Sequence, residues 1–504
     1  MSSKIFSANI FGLESQIIEV EAECMKGLRS FSIVGLASKS IEEAKERIDL
    51  AIKNSLLKKP SSENLKTIIS LAPADTKKEG AILDLPIALS FLIGSKQARF
   101  NPEGKLIIGE LSLNGSIRKA RGALIIAIKA KESGFKELIL PKENASEAAL
   151  VSGIKVIGVN TLAECLAYLE GRTYIEPEKQ KSENRDTSLF NALIWIQGQE
   201  YAKRALEIAA AGGHNIIMEG PPGTGKTMLA KAMSSLLPQL NNDDSLEVTK
   251  IYSLVGALKD NYPLITNPPF RAPHHTSSEA SILGGGNPPI PGEITLAHKG
   301  ILFLDEFPEF HRNILEALRQ PLEEGEITIL RSKHRITLPT KFSLVVAANP
   351  CPCGFYGDNE KDCVCSSSQI QMYRRKLSGP IIDRIDISIN VPRIKFDKLN
   401  AENNPEEAEK IKQNIAKARE IQYNRFTGQG ISLNSEMNVG QIKKYCSFGE
   451  DSTALLKLAV DSGKLSPRGY HRLLKVARTI ADLDQSDQIS LSHVSEAIAY
   501  RKQN

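Results

Sequence analysis

The spacing of apolar and polar positions changes several times along this chain, and each change marks an element. In "SKSIEEAKERIDLAIKNSLL", Ile48, Ile52 and Leu56 recur at helical spacing behind a Ser40–Glu43 capping box, which predicts a helix. "TIISLAP" and "ELILP" are short apolar runs of strand type. The stretch from Gly171 to Ser188, "GRTYIEPEKQKSENRDTS", is charged and poor in apolar residues, so it predicts an exposed linker. Beyond it, "GQEYAKRALEIAAAGGHNIIMEGPPGTGKT" reads as helix, strand and glycine-rich loop. Strand and helix signals then alternate as far as "DISINVP", near Pro392. That alternation predicts a parallel sheet with helices on both faces. From Arg393 onward the spacing is helical, as in "HRLLKVARTIADL". The predicted organisation is α/β, with a domain over residues 1–170, a linker over 171–188, a sheet domain over 189–392 and a helical region over 393–504.

One segment breaks the alternation. In "EITILRSKHRITLP", from Glu326 to Pro339, two β-branched runs flank a polar apex carrying Arg331, Lys333 and Arg335. This predicts a hairpin with a basic tip. The whole chain adds little to that local charge, because 64 Lys and Arg against 59 Asp and Glu leave only +5 over 504 residues. With 41% hydrophobic and 24% charged residues the composition is that of a soluble globular protein. No apolar run approaches the roughly 20 residues of a membrane helix. The N-terminus lacks the apolar core of a signal peptide, so a cytoplasmic location with no membrane partner is expected.

Seven cysteines in such a chain argue against a disulfide framework. Four of them fall in "CPCGFYGDNEKDCVC", where Cys351, Cys353, Cys363 and Cys365 form two C-x-C pairs. Four thiolates suit tetrahedral Zn²⁺, which would order a loop this polar. Free, redox-labile thiols are the alternative reading. Cys24, Cys165 and Cys446 are scattered and predicted to be packing residues.

The strongest chemical signal is G-x-x-x-x-G-K-T over Gly220, Pro221, Pro222, Gly223, Thr224, Gly225, Lys226 and Thr227. Glycines let backbone N–H groups fold round phosphate oxygens, and the helix that follows presents its positive end. Lys226 is expected to meet the β- and γ-phosphates of ATP, and Thr227 to ligate Mg²⁺. "ILFLDEF" is an apolar strand ending in Asp305 and Glu306, at the strand end where ligands sit in such sheets. Asp305 is expected to hold Mg²⁺ through water, and Glu306 to orient or activate the attacking water.

These motifs resemble the AAA+ ATPases. The resemblance makes Asn349 in "SLVVAANP" the polar sensor, Arg384 in "GPIIDRIDI" an arginine finger acting on a neighbouring subunit, and Arg468 in "LSPRGYHRLL" the second sensor of a helical lid. A finger supplied between subunits implies a ring, a homo-hexamer. "FRAPHHTSSEASILGGGNPPIPGEITLAHKGILFLDEF" is similar to the magnesium-chelatase-like branch. Nearly the whole chain resembles competence-associated bacterial members of that branch, with a Lon-protease-like domain, an AAA+ core and a C-terminal helical lid. For these the resemblance implies an ATP-driven DNA helicase or translocase. It would perform branch migration during homologous recombination of incoming DNA in natural transformation. Single-stranded or branched DNA and recombination proteins are the implied partners.

In related ring helicases a hairpin at this place enters the pore, so the resemblance makes Arg331, Lys333 and Arg335 phosphate-gripping residues. It also suggests a second pore element at Gly284, Gly285 and Gly286, with Arg271, His274 and His275 nearby. "ISLAPADTKKEGAILDLPIALSFL" and "GELSLNGSIRKARGALIIAIKAKESGFKELILPKEN" resemble the Lon proteolytic domain. Its serine would fall among Ala81 to Asp84, none of which is Ser, and its lysine near Ala120, beside Lys119. Without a nucleophile a base has nothing to activate, so an inactive protease fold serving oligomerisation or DNA binding is expected. A magnesium-chelatase-type subunit, a protein-remodelling ATPase and an ATP-dependent protease are the alternatives.

Overall fold

Along Glu14–Lys26, Ile18, Val20 and Ala22 are buried on one face of the chain while Glu19, Glu21 and Glu23 lie on the other, the period of two that builds a strand. The computed structural model describes residues 3–36, 39–62, 64–75, 78, 80–180, 192–259, 263–286, 289–331, 334–358, 360–376, 381–393, 405–461 and 465–501. They cluster into two units, one of residues 1–185 with 245–265 and one of 186–244 with 266–504.

The first unit carries strands β1 (Ser3–Phe11), β2 (Glu14–Lys26), β3 (Ser30–Val34), β4 (Leu65–Ala72), β5 (Lys105–Ile107), β6 (Glu110–Leu111), β7 (Ile117–Arg118), β8 (Glu137–Pro141) and β9 (Lys155–Val159). Seven of them make a mixed sheet in the order β3-β4-β2-β1-β5-β8-β9, and β6 pairs with β7. One core cluster joins this sheet to the helices Lys39–Asn54 and Asp84–Gly94, and another to the helix Ala123–Glu132. The first of these helices begins at Lys39 and buries Ile48 and Ile52 as their spacing requires. Leu56 departs from that expectation. The helix ends at Asn54, and Leu56 takes a left-handed φ of 62° with 96% of its surface exposed. Segment 245–265, within the range expected for the sheet domain, belongs here: Leu246 packs on the second cluster and Gly122 N–H donates to the Ser253 carbonyl at 2.9 Å.

Where the resemblance places a Lon dyad, structural contacts stand instead. Ala81–Leu83 is a short 3₁₀ turn, and Asp84 after it forms a buried bidentate pair with Arg47 at 2.8 and 3.1 Å. Ala120 exchanges two 2.8 Å hydrogen bonds through its backbone with the buried Asn144 amide. Residues 171–180 run without helix or strand, tied back by Glu178 N–H to the Val156 carbonyl at 2.9 Å. The rest of the expected linker lies outside the described residues.

The second unit continues with β10 (Ile216–Glu219), β11 (Phe270–Arg271), β12 (Gly284–Gly285), β13 (Ile290–Pro291), β14 (Ile301–Leu304), β15 (Glu326–Arg331), β16 (His334–Pro339), β17 (Ser343–Ala348) and β18 (Ile387–Asn390). Its main sheet is wholly parallel, in the order β11-β14-β17-β10-β18. Every residue of β14 and β17 is buried, as uninterrupted apolar runs require in a covered parallel sheet. The C-terminal helices, including Pro405–Phe426 and Pro467–Leu483, share one apolar core with this sheet. Residues 394–404, where the helical region was expected to begin, lie outside the described residues. No described helix is long and apolar enough to cross a membrane.

Candidate nucleotide site

The loop between β10 and the helix Lys226–Leu236 lies at the carboxyl end of the parallel sheet. Gly223 and Gly225 have φ of 79° and 86°, a region costly for residues with a Cβ. At Gly220 a side chain would collide with the Val391 carbonyl oxygen. Lys226, buried at the first helical position, donates from Nζ to the carbonyls of Gly220 at 2.6 Å and Pro221 at 2.9 Å, and to Asn349 Oδ1 at 3.3 Å. Burial lowers its pKa, with Asp305 opposing. The structure thus joins the phosphate-loop lysine directly to the residue expected as sensor.

Thr227 Oγ1 donates to Asp305 Oδ2 at 2.9 Å, so the two expected Mg²⁺-binding residues are in contact. The other Asp305 oxygen accepts the Glu306 N–H at 2.9 Å. Glu306 adopts φ 50°, a left-handed conformation costing a non-glycine residue about 1–3 kcal/mol. That turn leaves its carboxylate exposed, 3.3 Å from His275 Nδ1. The His275 ring lies 4.2 Å from that of His274 and meets Phe310 edge-on.

Arg384 and Arg468 come together away from the loop. Arg384 ends the 3₁₀ turn Ile382–Arg384 and pairs with Glu323, while Arg468 opens the helix Pro467–Leu483. Both line a cleft of about 320 Å³ with His471, Arg472 and Lys475, and no phosphate-loop residue lines it. Behind it, Asp386 meets buried His214 at 3.4 Å and Arg472 at 3.6 Å. Burial would raise the Asp386 pKa, but His214, Arg472 and Lys475 outweigh it and hold it down to about 2. The Nε2 of His214 reaches Thr479 Oγ1 at 2.8 Å, tying the sheet to the lid helix.

β15 and β16 form the expected antiparallel hairpin, paired with no third strand among the described residues. Ile327, Ile329 and Leu338 are buried at its base, whereas Leu330 and Arg335 are exposed. Lys333 lies outside the described residues, and Arg331 is described only as the last residue of β15. Gly284 packs against the hairpin base, where an added Cβ would sit 2.7 Å from Ile329 Cδ1. The other residues expected with it are engaged elsewhere: Arg271 with Glu293 at 2.6 and 2.7 Å, His274 with Thr276 at 2.8 Å, and His275 with Glu306.

The four clustered cysteine sulfurs all lie within 4.8 Å of one another. Three of the separations are 3.4, 3.6 and 3.7 Å. Sulfurs bound to one tetrahedral Zn²⁺ at about 2.3 Å stand about 3.8 Å apart, so the set fits that ion. N–H groups of Tyr356 and Cys353 point at Cys351 and Cys365 sulfurs at 3.3 and 3.4 Å. The Phe355 N–H, aided by Cys351, holds the Cys353 thiol down to about 6. Cys165 and Cys446 are buried, and burial pushes the Cys446 thiol up to about 12.

Residues 192–399 match the family described as magnesium chelatase, subunit ChlI; residues 20–144 match subunit ChlI of Mg-chelatase, and residues 405–501 the ChlI C-terminal region. The chain is 40% identical over 503 residues to competence protein ComM of Haemophilus influenzae, covering 99% of this chain and 97% of that one. It is 41% identical over 492 residues to the uncharacterized protein YifB of Escherichia coli, covering 97% and 95%. The chain belongs to the ComM/YifB family of magnesium-chelatase-like AAA+ proteins. A shorter match, 26% identical over 192 residues, joins it to the magnesium-chelatase 38 kDa subunit of Rhodobacter capsulatus, covering 35% and 54%. Membership of the ComM/YifB family supports ATP binding, Mg²⁺ use and an ATPase related to competence.

Two residues of this ComM/YifB chain join the site in a way the sequence did not show. His275, expected near a pore element at Gly284, Gly285 and Gly286, faces Glu306. Tyr373, buried on the helix Ser367–Lys376, has its hydroxyl at the Asn349 backbone N–H, and burial raises its pKa. Tyr373 belongs to no motif read in the sequence, and for His275 only the fold shows the contact with Glu306.

Proposed function

We propose that this chain is a ring-forming, cytoplasmic, Mg²⁺- and ATP-dependent DNA motor that drives branch migration when incoming DNA recombines during natural transformation. The observation that carries this reading is the hairpin β15–β16. It stands in the chain between the acidic strand β14 and the sensor strand β17, with Arg335 exposed, and residues 340–342 alone join it to β17, the strand that runs to Asn349. Basic side chains there would hold phosphates irrespective of sequence, as a motor running along any DNA requires.

In this reading Lys226 and the loop N–H groups bind the triphosphate, and Thr227 and Asp305 hold Mg²⁺. Glu306 orients water, and Asn349 senses the γ-phosphate. Arg384 serves the nucleotide of the adjoining subunit in a homo-hexamer, and Arg468, which lines the same cleft, is the second sensor of the helical lid. Zn²⁺ would be held by Cys351, Cys353, Cys363 and Cys365, and recombination proteins would deliver the DNA. The competence name of the Haemophilus relative supports the setting.

ATP hydrolysis measured without DNA and with single strands, duplex and a four-way junction, at low and high salt, tests the proposal. Stimulation strongest on single-stranded or junction DNA and fading with salt is expected. A rate indifferent to every DNA would overturn it and select a chelatase-type or protein-remodelling ATPase, the reading favoured by the Rhodobacter capsulatus match.

A further inference from the structure

β17, β10 and β18 are neighbours in the parallel sheet, and the four-cysteine loop is joined to or touches the chain that continues from each. From β17 the chain passes Asn349 and Pro350 directly into Cys351, the fully buried member of the set. From β10 it passes into the phosphate loop, where Pro222 packs on Gly354. A Cβ at Gly354 would lie 2.6 Å from Pro222 Cδ, and φ there is 86°, so only glycine fits both the turn and the contact. From β18 it passes to Arg393, which donates to Asp358 at 2.8 Å and Glu360 at 3.4 Å and faces the Phe355 ring.

Apolar burial among the described residues of the loop is slight. Val364 is 85% exposed and Tyr356 is exposed beneath Arg374, while Phe355 is half-buried between Lys361 and Arg393, and most other positions between the cysteines are small or charged. Four thiolates converging without a cation would repel, whereas a bound divalent ion turns that repulsion into the main source of local order. We infer that the four-cysteine loop is a metal clasp that holds Pro222 and Asn349 in position for ATP, so that metal loading sets nucleotide affinity. This rests on the reading of Gly220–Thr227 as the ATP site. Cys351, Cys353, Cys363, Cys365 and Gly354 are then positioning residues, acting on nucleotide through the phosphate loop and the Lys226–Asn349 contact. The ion is of the class thiolates select, Zn²⁺ first.

The test uses the full chain. Zinc content is measured, then the affinity for a fluorescent, non-hydrolysable ATP analogue with Mg²⁺, before and after chelation and after adding Zn²⁺ back. Cys363→Ser and Gly354→Ala are measured in parallel, with thermal melting as a check on folding. About one equivalent of zinc is expected, as for a closed Cys₄ site. Chelation and Cys363→Ser are each expected to weaken analogue binding on the order of tenfold through lost preorganisation, and added Zn²⁺ restores the chelated protein. Gly354→Ala is expected to keep its zinc and still lose affinity, which a merely structural metal would not produce. Less than about half an equivalent of zinc in the purified protein overturns the metal site and the clasp together. Full zinc with affinity unchanged by chelation and in both variants overturns the clasp and leaves the ATP site standing. No analogue binding by the zinc-loaded wild type overturns the ATP reading, and the clasp falls with it.

Discussion

Lys226 and Glu306 show how differently single residues announce themselves. The lysine was legible because its motif is a backbone requirement: glycines at positive φ, then a helix start, leave little choice of residue. In the role proposed for it Lys226 places its charge at the phosphates, so Lys226→Ala is expected to lower ATP turnover at least about 100-fold, checked by phosphate release. The partner of Glu306 was not legible. "APHHT" contains two histidines, and only the fold shows that His275 turns to the carboxylate while His274 bonds Thr276. In the role proposed for Glu306 it aims the water, so His275→Ala, which frees that carboxylate, is expected to reduce kcat about 10- to 100-fold with nucleotide affinity preserved. Equal kcat in the variant would remove His275 from the site.

Asp386 gives a pH dependence with a definite sign. Its folded pKa of about 2 lies below its ordinary value of 3.8, so its contribution to stability is complete above that ordinary value and lost as pH falls towards 2. Thermal melts in that acid range are expected to show the loss. Asp386→Ala is expected to destabilise by about 3–5 kcal/mol at neutral pH, because His214 and Arg472 are left buried without their partner.

At the scale of elements, the short apolar runs "TIISLAP" and "ELILP" and the hairpin's flanking strands were read correctly because each carries its own pattern. Ile327 and Ile329 are buried while Glu326 and Leu330 are more open, so β15 alternates as a half-covered strand should. The helix over residues 39–54 was legible for the same reason, but its end was not. Leu56 continues the helical spacing after the backbone has already turned, with Leu56 N–H donating to Lys53 and Leu57 N–H to Ile52. Spacing describes a face, and it cannot show where the hydrogen-bond ladder stops. For the hairpin, Lys333→Ala and Arg335→Ala are each expected to diminish DNA-stimulated ATP hydrolysis. Each is also expected to reduce the salt slope of DNA binding by about one unit, the mark of a phosphate contact, read from titrations across salt concentrations. An unaltered slope would make the tip a solvated turn.

For the whole molecule, an α/β organisation with a parallel sheet and a helical C-terminal region followed from the order of elements. The return of segment 245–265 to the first unit did not. Leu246, which packs on the first unit's second cluster, looks like any apolar residue of a helix, and nothing in its spacing names the core it meets. A chain beginning at residue 189 would carry this segment without the unit it completes, exposing its apolar side. Such a truncation is expected to aggregate or melt earlier than one in which 245–265 is replaced by a short Gly/Ser connection, as size-exclusion chromatography and melting would show.

That same excursion governs the order in which the protein can be made. Domains generally fold as they leave the ribosome, at about 5–20 residues per second, and the N-terminal one usually closes first. Here closure has to wait: the strand and loop that receive Lys226 are already synthesised before residues 245–265 emerge to finish the earlier unit. The nascent phosphate loop therefore spends its first moments tethered to an unfinished neighbour, and a pause in translation just before residue 245 would hold both halves incomplete together.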